Sequence, residues 1–317
     1  MSFDMVMKRS SLHIAGWIAY VFGVMRICND PGFRPPGEAQ SLILQIDAGC
    51  PWNRCTFCGM YKGMSYRRRP LADVLQLIEQ EAGRGARARR IFLADGDVMS
   101  RPVAELRMIL QALLAHFPQL TRVSMYANGA SVAGKTEAEL AELKSLKLHT
   151  LYMGLESGDD EILRLCEKRE TSAEVIAACK TAQAAGLRMS VMILLGLGGM
   201  ERGDQHIAHT AEALNRMQPR LLSALRVIPV AGTKLYDAVR NGTFRPLTEY
   251  GVVQELREMI ARLELTSTVF RANHSSNVVP LEARFPHDKD RVVAMLDALL
   301  ASRTLDRETA GAMPFWL

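Results

Sequence analysis

Three cysteines at C-x4-C-x2-C spacing, Cys50, Cys55 and Cys58, constrain this chain more than any other feature. They lie within nine residues, directly after the apolar run 42–46. Structural zinc sites take four protein ligands, and ferredoxin-type sequences bring four cysteines to each cluster. No fourth cysteine or histidine is nearby in the sequence, so an iron–sulfur cluster held here would keep one iron without a protein ligand. The alternative is a zinc knuckle that a distant histidine or cysteine completes.

The loop resembles the cluster loop of the radical S-adenosylmethionine (SAM) superfamily, in which three cysteines hold a [4Fe-4S] cluster and SAM chelates the fourth iron. The commonest spacing there is C-x3-C-x2-C, whereas this chain has one more residue in the first gap. The stretch 34–62 resembles a subgroup that shares the longer gap and is distantly like oxygen-independent coproporphyrinogen oxidases. The resemblance implies a [4Fe-4S] cluster and SAM as cofactors, with Phe57 in the loop contacting SAM.

Composition is compatible with one large α/β barrel, because the chain has 317 residues of which 48% are apolar. The net charge of +5 is modest, and much of it lies in the runs 67–69 and 84–90. Such runs are usually solvated faces; the functional alternative is docking of an acidic electron donor such as flavodoxin or ferredoxin. No RNP-like, helix-turn-helix or zinc-finger pattern accompanies the arginines, which argues against specific nucleic-acid binding.

The remaining cysteines, Cys28, Cys166 and Cys179, are scattered, and we expect each to be a small buried hydrophobe. An oxygen-sensitive cluster on thiolates requires a reducing compartment, which predicts a cytoplasmic protein.

The apolar run 12–27 after Lys8 and Arg9 resembles a signal peptide or membrane anchor. It is shorter than the roughly 20 residues of a span, and no cleavage signal follows, so a helix packed on the barrel is the better prediction.

From residue 41 onward, strand-like and helix-like stretches alternate, which predicts βαβ units and a parallel sheet. Helix starts are marked at Pro70 and by capping boxes at Thr136 and Thr171, and Gly186 fits a helix C-terminus. The predicted strands are 42–47, 91–94, 122–126, 150–155, 188–195 and 222–229. A helix at 248–263, an extended stretch at 266–271 and a helix at 288–301 follow.

These six units predict an α/β fold, a (β/α)6 partial TIM barrel, which is also what the resemblance implies. We expect three regions: an N-terminal extension of helix plus loop at 1–40, the barrel core at 41–240, and a C-terminal helical and extended cap at 241–317. We expect neither a cobalamin domain, for which these 317 residues leave no room, nor an auxiliary cluster, for which no second cysteine group is present.

Functional residues of parallel barrels lie at the carboxyl ends of strands. After the second strand come Asp95, Gly96 and Asp97, where the superfamily carries a Gly-Gly-Glu motif that holds the amino group of SAM. The resemblance therefore implies that these residues bind the cofactor. The alternative is a turn in which Asp and Gly bond locally.

The third and fourth strands end in Tyr126, a weaker cofactor-site candidate, and in Glu156. Glu156 lies in a segment similar to the superfamily's Gly-x-Glu-Ser element, which implies that its carboxylate accepts hydrogen bonds from the ribose hydroxyls of SAM. The alternative is that Glu156 stabilises the positive end of the following helix.

The fifth strand leads into Gly196 and Gly198, similar to a superfamily element whose backbone passes close to SAM. After the sixth strand, the stretch around Pro229 resembles the Pro-x-Pro-Gly-Thr stretch of coproporphyrinogen-oxidase-like relatives. Arg226 precedes it; if strand alternation points Arg226 into the barrel, it holds a carboxylate of substrate or SAM, and the alternative is a surface ion pair. His274 lies in a compact polar stretch, expected at the barrel mouth, where it either contacts substrate or is structural.

The prediction is thus a radical SAM enzyme in which reductive cleavage of SAM gives a 5′-deoxyadenosyl radical that abstracts hydrogen from a small molecule or short peptide. One alternative is an iron–sulfur electron-transfer or scaffold protein without SAM cleavage. Another is cleavage of a different C–S bond to give an aminocarboxypropyl radical.

Overall fold

A computed structural model describes residues 33–85 and 87–311, so the predicted N-terminal helix lies outside the described residues. The strands are β1 Leu42–Gln45, β2 Asp47–Ala48, β3 Arg67–Arg68, β4 Arg90–Ala94, β5 Arg122–Tyr126, β6 Leu148–Glu156, β7 Arg188–Leu195, β8 Leu221–Arg226, β9 Thr268–Arg271 and β10 Glu282–Phe285. The α-helices are α1 Leu71–Gly83, α2 Val103–His116, α3 Gly129–Ala133, α4 Glu137–Ser145, α5 Asp160–Leu165, α6 Ser172–Ala184, α7 Gly203–Met217, α8 Lys234–Arg240, α9 Glu249–Arg262 and α10 Lys289–Ala301.

The main sheet has the strand order β1-β4-β5-β6-β7-β8-β9-β10. Every neighbouring pair from β1 to β9 is parallel, and β10 returns antiparallel to β9. The predicted α/β partial barrel is therefore confirmed, and each of its six strands was placed within a few residues. The extended stretch expected at 266–271 forms β9, a seventh parallel strand, whereas β10 was not predicted.

Helix boundaries follow local signals. Thr136 and Thr171 each accept a hydrogen bond from the backbone N–H three residues later, and the glutamates there close both capping boxes. Gly186 has φ +81° directly after α6, as a glycine at a helix C-terminus requires. These short-range interactions are why the sequence located the boundaries so closely.

The two faces of the sheet bury different residues. Strand residues such as Leu93, Met153 and Val191 belong to the large apolar core that includes the helices. The alternate residues form a separate cluster in which Phe92, Tyr126 and Tyr152 make edge-to-face contacts, with ring centroids 5.1 to 6.2 Å apart. The inward face of the partial barrel is thus aromatic in its first half.

The region predicted as a C-terminal cap continues the barrel architecture. β9 pairs with β8, and α9 packs against α7 and β7. The boundaries at 40/41 and 240/241 stay predictions. Over residues 33–85 and 87–311, no helix has both the length and the apolar character needed to cross a membrane.

The base of the cysteine loop is held by one buried arginine. β2 and β3 pair antiparallel and bring the two ends of the loop together. The Arg101 guanidinium, 0% exposed, donates to Asp47 Oδ1 at 2.6 Å, to the Ile46 carbonyl at 3.0 Å and to the Arg69 carbonyl at 2.7 Å. A single side chain therefore binds the chain both before and after the loop.

Arg101→Ala should lower the free energy of unfolding by about 3–5 kcal/mol, because it leaves the buried Asp47 carboxylate without its partner. Urea denaturation followed by circular dichroism measures the change. The matched control is Arg107→Ala, which breaks the half-exposed Arg107–Glu142 pair and should cost far less. Equal losses in the two variants would contradict the importance assigned to Arg101.

Candidate functional site

The cysteine loop crosses the carboxyl edge of the sheet and is bonded to its far side. The Thr56 N–H donates to the Cys166 carbonyl at 2.9 Å, and the Leu235 N–H donates to the Thr56 carbonyl at 3.0 Å. Trp52 Nε1 donates to the Glu167 carbonyl at 2.8 Å. Cys166 and Glu167 follow α5, and Leu235 is the second residue of α8, so these bonds hold the loop across the strand ends, from β1 to the far side.

All three loop cysteines are half-buried and close enough to influence one another's ionisation. Burial raises the pKa of Cys50 and Cys58 and raises that of Cys55 to about 12, and for Cys55 and Cys58 the neighbouring cysteines oppose ionisation further. A metal that binds here must displace these protons, as thiolate ligation requires. Within the described part of the chain, no three Cys, His, Asp or Glu side chains converge tightly enough to bind one metal ion. A four-iron cluster needs no such convergence because each cysteine binds a different iron. The donor set therefore fits a cluster with three cysteine ligands.

Gly96 allows the segment that follows β4 to approach the cysteine loop. A Cβ on Gly96 would lie 2.7 Å from the Cβ of Cys50 and 3.0 Å from the Gly49 carbonyl oxygen. The Gly96 N–H also donates to that carbonyl at 3.2 Å. The glycine predicted from the sequence thus lies against the first cysteine, and only a residue without a side chain fits there.

The two acids beside Gly96, Asp95 and Asp97, both accept hydrogen bonds from other residues of the chain. Asp95 accepts hydrogen bonds from Gln45 Nε2 at 2.7 Å and from the Gly49 N–H at 3.3 Å. Asp97 accepts from Ser131 Oγ at 2.8 Å and from Asn128 Nδ2 at 3.1 Å. Burial raises the pKa of Asp97 to about 6, against the effect of those bonds. Both acids bind neighbouring loops together, and their role in holding SAM stays a prediction.

Glu156 shares the centre of the site with a lysine that sequence reasoning missed. A register shift between Gly154 and Glu156 re-aims the end of β6, and Glu156 has φ +64°. Lys168, 6% exposed, lies with Nζ 3.8 Å from Glu156 Oε1 and 3.9 Å from Glu170 Oε2, and it donates to the Gly154 carbonyl at 2.8 Å.

Burial alone would lower the pKa of Lys168, but Glu156 and Glu170 outweigh it and raise the pKa. Its charge also counteracts the effect of burial on Cys50 and Cys55, so the ammonium lies next to the thiols. Lys168 was missed because it stands in the charged run Glu167-Lys168-Arg169-Glu170, which is typical of a solvated loop. Only the fold brings Lys168 and Glu170 of this run inside.

Gly196 and Gly198 form the turn after β7. Gly196 has φ +79°, and a Cβ on Gly198 would lie 2.8 Å from the Arg202 carbonyl oxygen, so both positions favour glycine. The Gly196 N–H donates to Glu255 Oε1 at 2.6 Å, which ties the turn to α9. Burial raises the pKa of Glu255 to about 8, so this carboxyl is largely protonated at neutral pH.

His206 joins the same turn to the end of β6. Its Nε2 donates to the Leu194 carbonyl at 3.1 Å, which leaves Nδ1 to accept from Ser157 Oγ at 2.8 Å. Burial lowers the pKa of His206 to about 4, so the imidazole is neutral. A buried hydrogen-bond network therefore fixes the segment that follows Glu156 relative to the end of β7, which precedes Gly198.

The remaining predicted cofactor contacts lie around the same edge. Phe57 packs in a cluster with Ile162, Cys166, Leu197, Val227 and Leu235, so it joins the cysteine loop to the ends of β7 and β8. Tyr126 faces the barrel interior at the end of β5. Pro229 is half-buried between β8 and α8. Their contact with SAM stays a prediction.

The two residues predicted to act on substrate have different surroundings. Arg226 shares the outward face of β8 with the core residues Leu222 and Ala224, and its guanidinium donates to the Ala310 carbonyl. Arg226 therefore does not meet the condition on which its carboxylate-binding role was predicted, because it has the opposite parity from the inward residues, and its contact with substrate stays a prediction. His274 follows β9 at the carboxyl edge, half-buried, with Nδ1 2.8 Å from Ser276 Oγ. Its contact with substrate stays a prediction.

Comparison with known families and structures points in one direction. A family model described as the Radical SAM superfamily matches residues 45–212. The structure of coproporphyrinogen III oxidase from Escherichia coli, described as a radical SAM enzyme, aligns with a TM-score of 0.54 and 18% identity over 70% of this chain and 51% of that chain. The radical SAM methyltransferase TsrM from Kitasatospora setae aligns with a TM-score of 0.50 and 17% identity over 62% of this chain and 39% of that one.

Among curated proteins, tRNA uridine(34) acetyltransferase from Methanocaldococcus infernus is 22% identical over 120 residues. That match covers 38% of this chain and 22% of the acetyltransferase, so the chain spans only about a fifth of that relative. The structural similarities establish the fold of the chain.

Gly96→Ala should sharply reduce the iron bound after anaerobic reconstitution, because its Cβ would push Cys50 and the loop away from β4. Circular dichroism should show an unchanged helix content. Gly83→Ala is the matched control, since a Cβ there has no atom within 4 Å. Full iron binding by Gly96→Ala would show that the close approach is not required.

Glu255→Gln should remove a pH dependence of stability. In the folded wild type the pKa of Glu255 is about 8 instead of 4.5, so between these pH values the folded chain binds more protons than the unfolded chain. The free energy of unfolding of the wild type therefore falls relative to that of Glu255→Gln as pH rises from 4.5 to 8. Above pH 8 the difference between the two proteins stays constant. Thermal unfolding of both proteins at pH 5, 6.5 and 8 measures this, with Glu212→Gln, at an exposed position on α7, as control. A difference independent of pH would contradict the assignment.

Proposed function

The chain belongs to the radical SAM superfamily, whose enzymes bind a [4Fe-4S] cluster and SAM, and on that premise we propose that it uses a 5′-deoxyadenosyl radical to abstract hydrogen from a small-molecule or short-peptide substrate. The observation that carries the proposal is the cysteine loop, with three thiols held over the strand ends beside Glu156 and Lys168. This arrangement has three ligands for a cluster and complementary charges beside them.

We assign the groups that hold the cofactors by their chemistry. Cys50, Cys55 and Cys58 would each bind one iron, which leaves the fourth iron for the amino and carboxylate groups of SAM. Lys168 would pair with the carboxylate, a role that Arg226 cannot perform from the outer face of β8. The Glu156 carboxylate would accept hydrogen bonds from the ribose hydroxyls.

When bound, the reduced cluster and SAM supply the cleavage of the sulfonium that gives methionine and the radical. The chain's own contribution is orientation and exclusion of water. The His206 and Glu255 network fixes the segments after β6 and after β7, between which the nucleoside would bind, and the loop covers the strand ends. Tyr126, Tyr152 and Phe92 form an apolar inner wall that would hold the substrate.

An oxygen-sensitive cluster of this kind and the thiols that hold it favour a cytoplasmic location.

Two other functions use the same site. Iron–sulfur electron transfer without SAM cleavage requires the cysteines but not Lys168 or Glu156. Cleavage of a different C–S bond of SAM, which would give an aminocarboxypropyl radical, uses the same ligands and differs in its products.

The test is anaerobic reconstitution with iron and sulfide, followed by dithionite and SAM without substrate, with products identified by chromatography and mass. We expect 5′-deoxyadenosine and methionine from the wild type and at least a hundredfold less from Cys55→Ala. Cys179→Ala removes a buried thiol in the core away from the loop and should retain the products.

The products separate the alternatives. Methylthioadenosine in place of 5′-deoxyadenosine would favour the aminocarboxypropyl route. Iron-loaded wild type that yields neither product would contradict the proposal and favour electron transfer. Equal product from Cys55→Ala and wild type would show that cleavage does not depend on the loop.

A further inference from the structure

A tryptophan on the cysteine loop lies between two arginines on the protein surface. The guanidinium carbons of Arg54 and Arg169 lie 5.1 and 5.9 Å from the ring centroid of Trp52, distances typical of cation–π contacts. Both arginines are exposed, while Trp52 is half-buried and anchored through its indole N–H. Trp52 is the second residue after Cys50, so this group lies against the cluster site.

The cations in this group are not neutralised. Over residues 33–85 and 87–311, Arg54, Lys62 and Arg169 make no ion pair with a carboxylate, and Lys62 Nζ lies 3.4 Å from the Asn53 carbonyl oxygen. Neighbouring surface cations do have partners: Lys234 pairs with Glu167, and Arg164 pairs with Glu161. The result is a local excess of positive charge around the loop.

Exposed apolar side chains lie on the same loop or against it. Met60 is 37% exposed and Val230 is 39% exposed, and Val230 packs closely against Gly59 of the loop. Tryptophan, methionine and arginine are enriched at protein–protein interfaces, where an apolar centre has a polar rim. We call the surface of Trp52, Arg54, Met60, Lys62, Arg169 and Val230 the loop-rim surface.

We propose that the loop-rim surface docks an acidic electron-transfer protein that reduces the cluster. The proposal rests on the proposed function, which needs one electron for each SAM cleaved. That electron leaves the reduced flavin or iron–sulfur centre of the partner and enters the cluster, so the partner is oxidised by one electron and the cluster is reduced by one. A cationic rim steers an acidic partner, and a small apolar centre suits a transient complex that must dissociate after transfer.

The basic run 84–90 is less suited to this task. It precedes β4, whose opposite end, Ala94, accepts a hydrogen bond from Ile46 N–H beside the loop. A five-residue strand is about 17 Å long, so the run lies at the amino edge of the sheet, away from the thiols. Arg87 and Arg89 are exposed there and supply a control with the same charge change.

The experiment uses reconstituted holoenzyme and an acidic flavodoxin as probe. Stopped-flow bleaching of the cluster absorbance measures reduction by flavodoxin hydroquinone, and calorimetry measures binding of oxidised flavodoxin. We expect Arg54→Glu/Arg169→Glu to lower the reduction rate and the affinity at least about tenfold at low salt and to flatten the salt dependence. Arg54→Gln/Arg169→Gln should give intermediate values, and Arg87→Glu/Arg89→Glu should stay within about twofold of wild type.

Reduction by dithionite and the 5′-deoxyadenosine it supports should be unchanged in every variant, because a small reductant needs no docking surface. This separates the docking proposal from the proposed function, which the dithionite assay tests by itself. Wild-type rates and affinity in the loop-rim variants, or an equal loss in Arg87→Glu/Arg89→Glu, would overturn the proposal. If Arg54→Glu/Arg169→Glu binds too little iron to be assayed, the proposal is tested with Arg54→Gln/Arg169→Gln, whose rate of reduction by flavodoxin is compared with that of wild type at equal iron content.

Discussion

The buried ion pair between Arg101 and Asp47 is the constraint on which the cysteine loop depends. The loop has little regular secondary structure of its own, so its conformation is set by where its ends are held and by bonds to other elements. Arg101 fixes both ends through Asp47, Ile46 and Arg69. Buried ion pairs contribute little net stability compared with apolar contacts, but they demand one geometry. This geometry places the three thiols.

Further bonds then determine the path of the loop across the sheet. Thr56 bonds to the segments that contain Cys166 and Leu235, and Phe57 packs with the residues at the ends of β7 and β8. The loop therefore touches elements that are distant in sequence. The functional residues gather at the carboxyl edge because all seven parallel strands end there. The same geometry lets a lysine that follows α5 lie beside cysteines that follow β1.

Charge is balanced inside this edge in a way that suits a zwitterionic ligand. Lys168 lies between two carboxylates, Glu156 and Glu170, and beside the loop thiols. Burial raises the pKa of Asp97 to about 6 and that of Glu255 to about 8, so at neutral pH Glu255 is largely protonated and adds little negative charge. Asp97 stays largely ionised, and its carboxylate accepts hydrogen bonds from Ser131 and Asn128. The site thus keeps several charges near the thiols and holds Glu255 largely neutral through burial.

The sequence by itself determined most of the elements and their order, and it indicated which cysteines could bind a cluster. Capping boxes, glycines with positive φ and the alternation of strands and helices are short-range signals, and C-x4-C-x2-C needs no fold to be recognised. The direction of Arg226 and the burial of Lys168 were decided only by the tertiary structure. Parity along β8 depends on which face meets the helices, and a charged run becomes a buried ammonium only when other strands bring Glu156 and the cysteine loop around it. Arg101, Glu255 and Trp52 belong to the same class, because their partners lie far away in sequence and only packing brings them together.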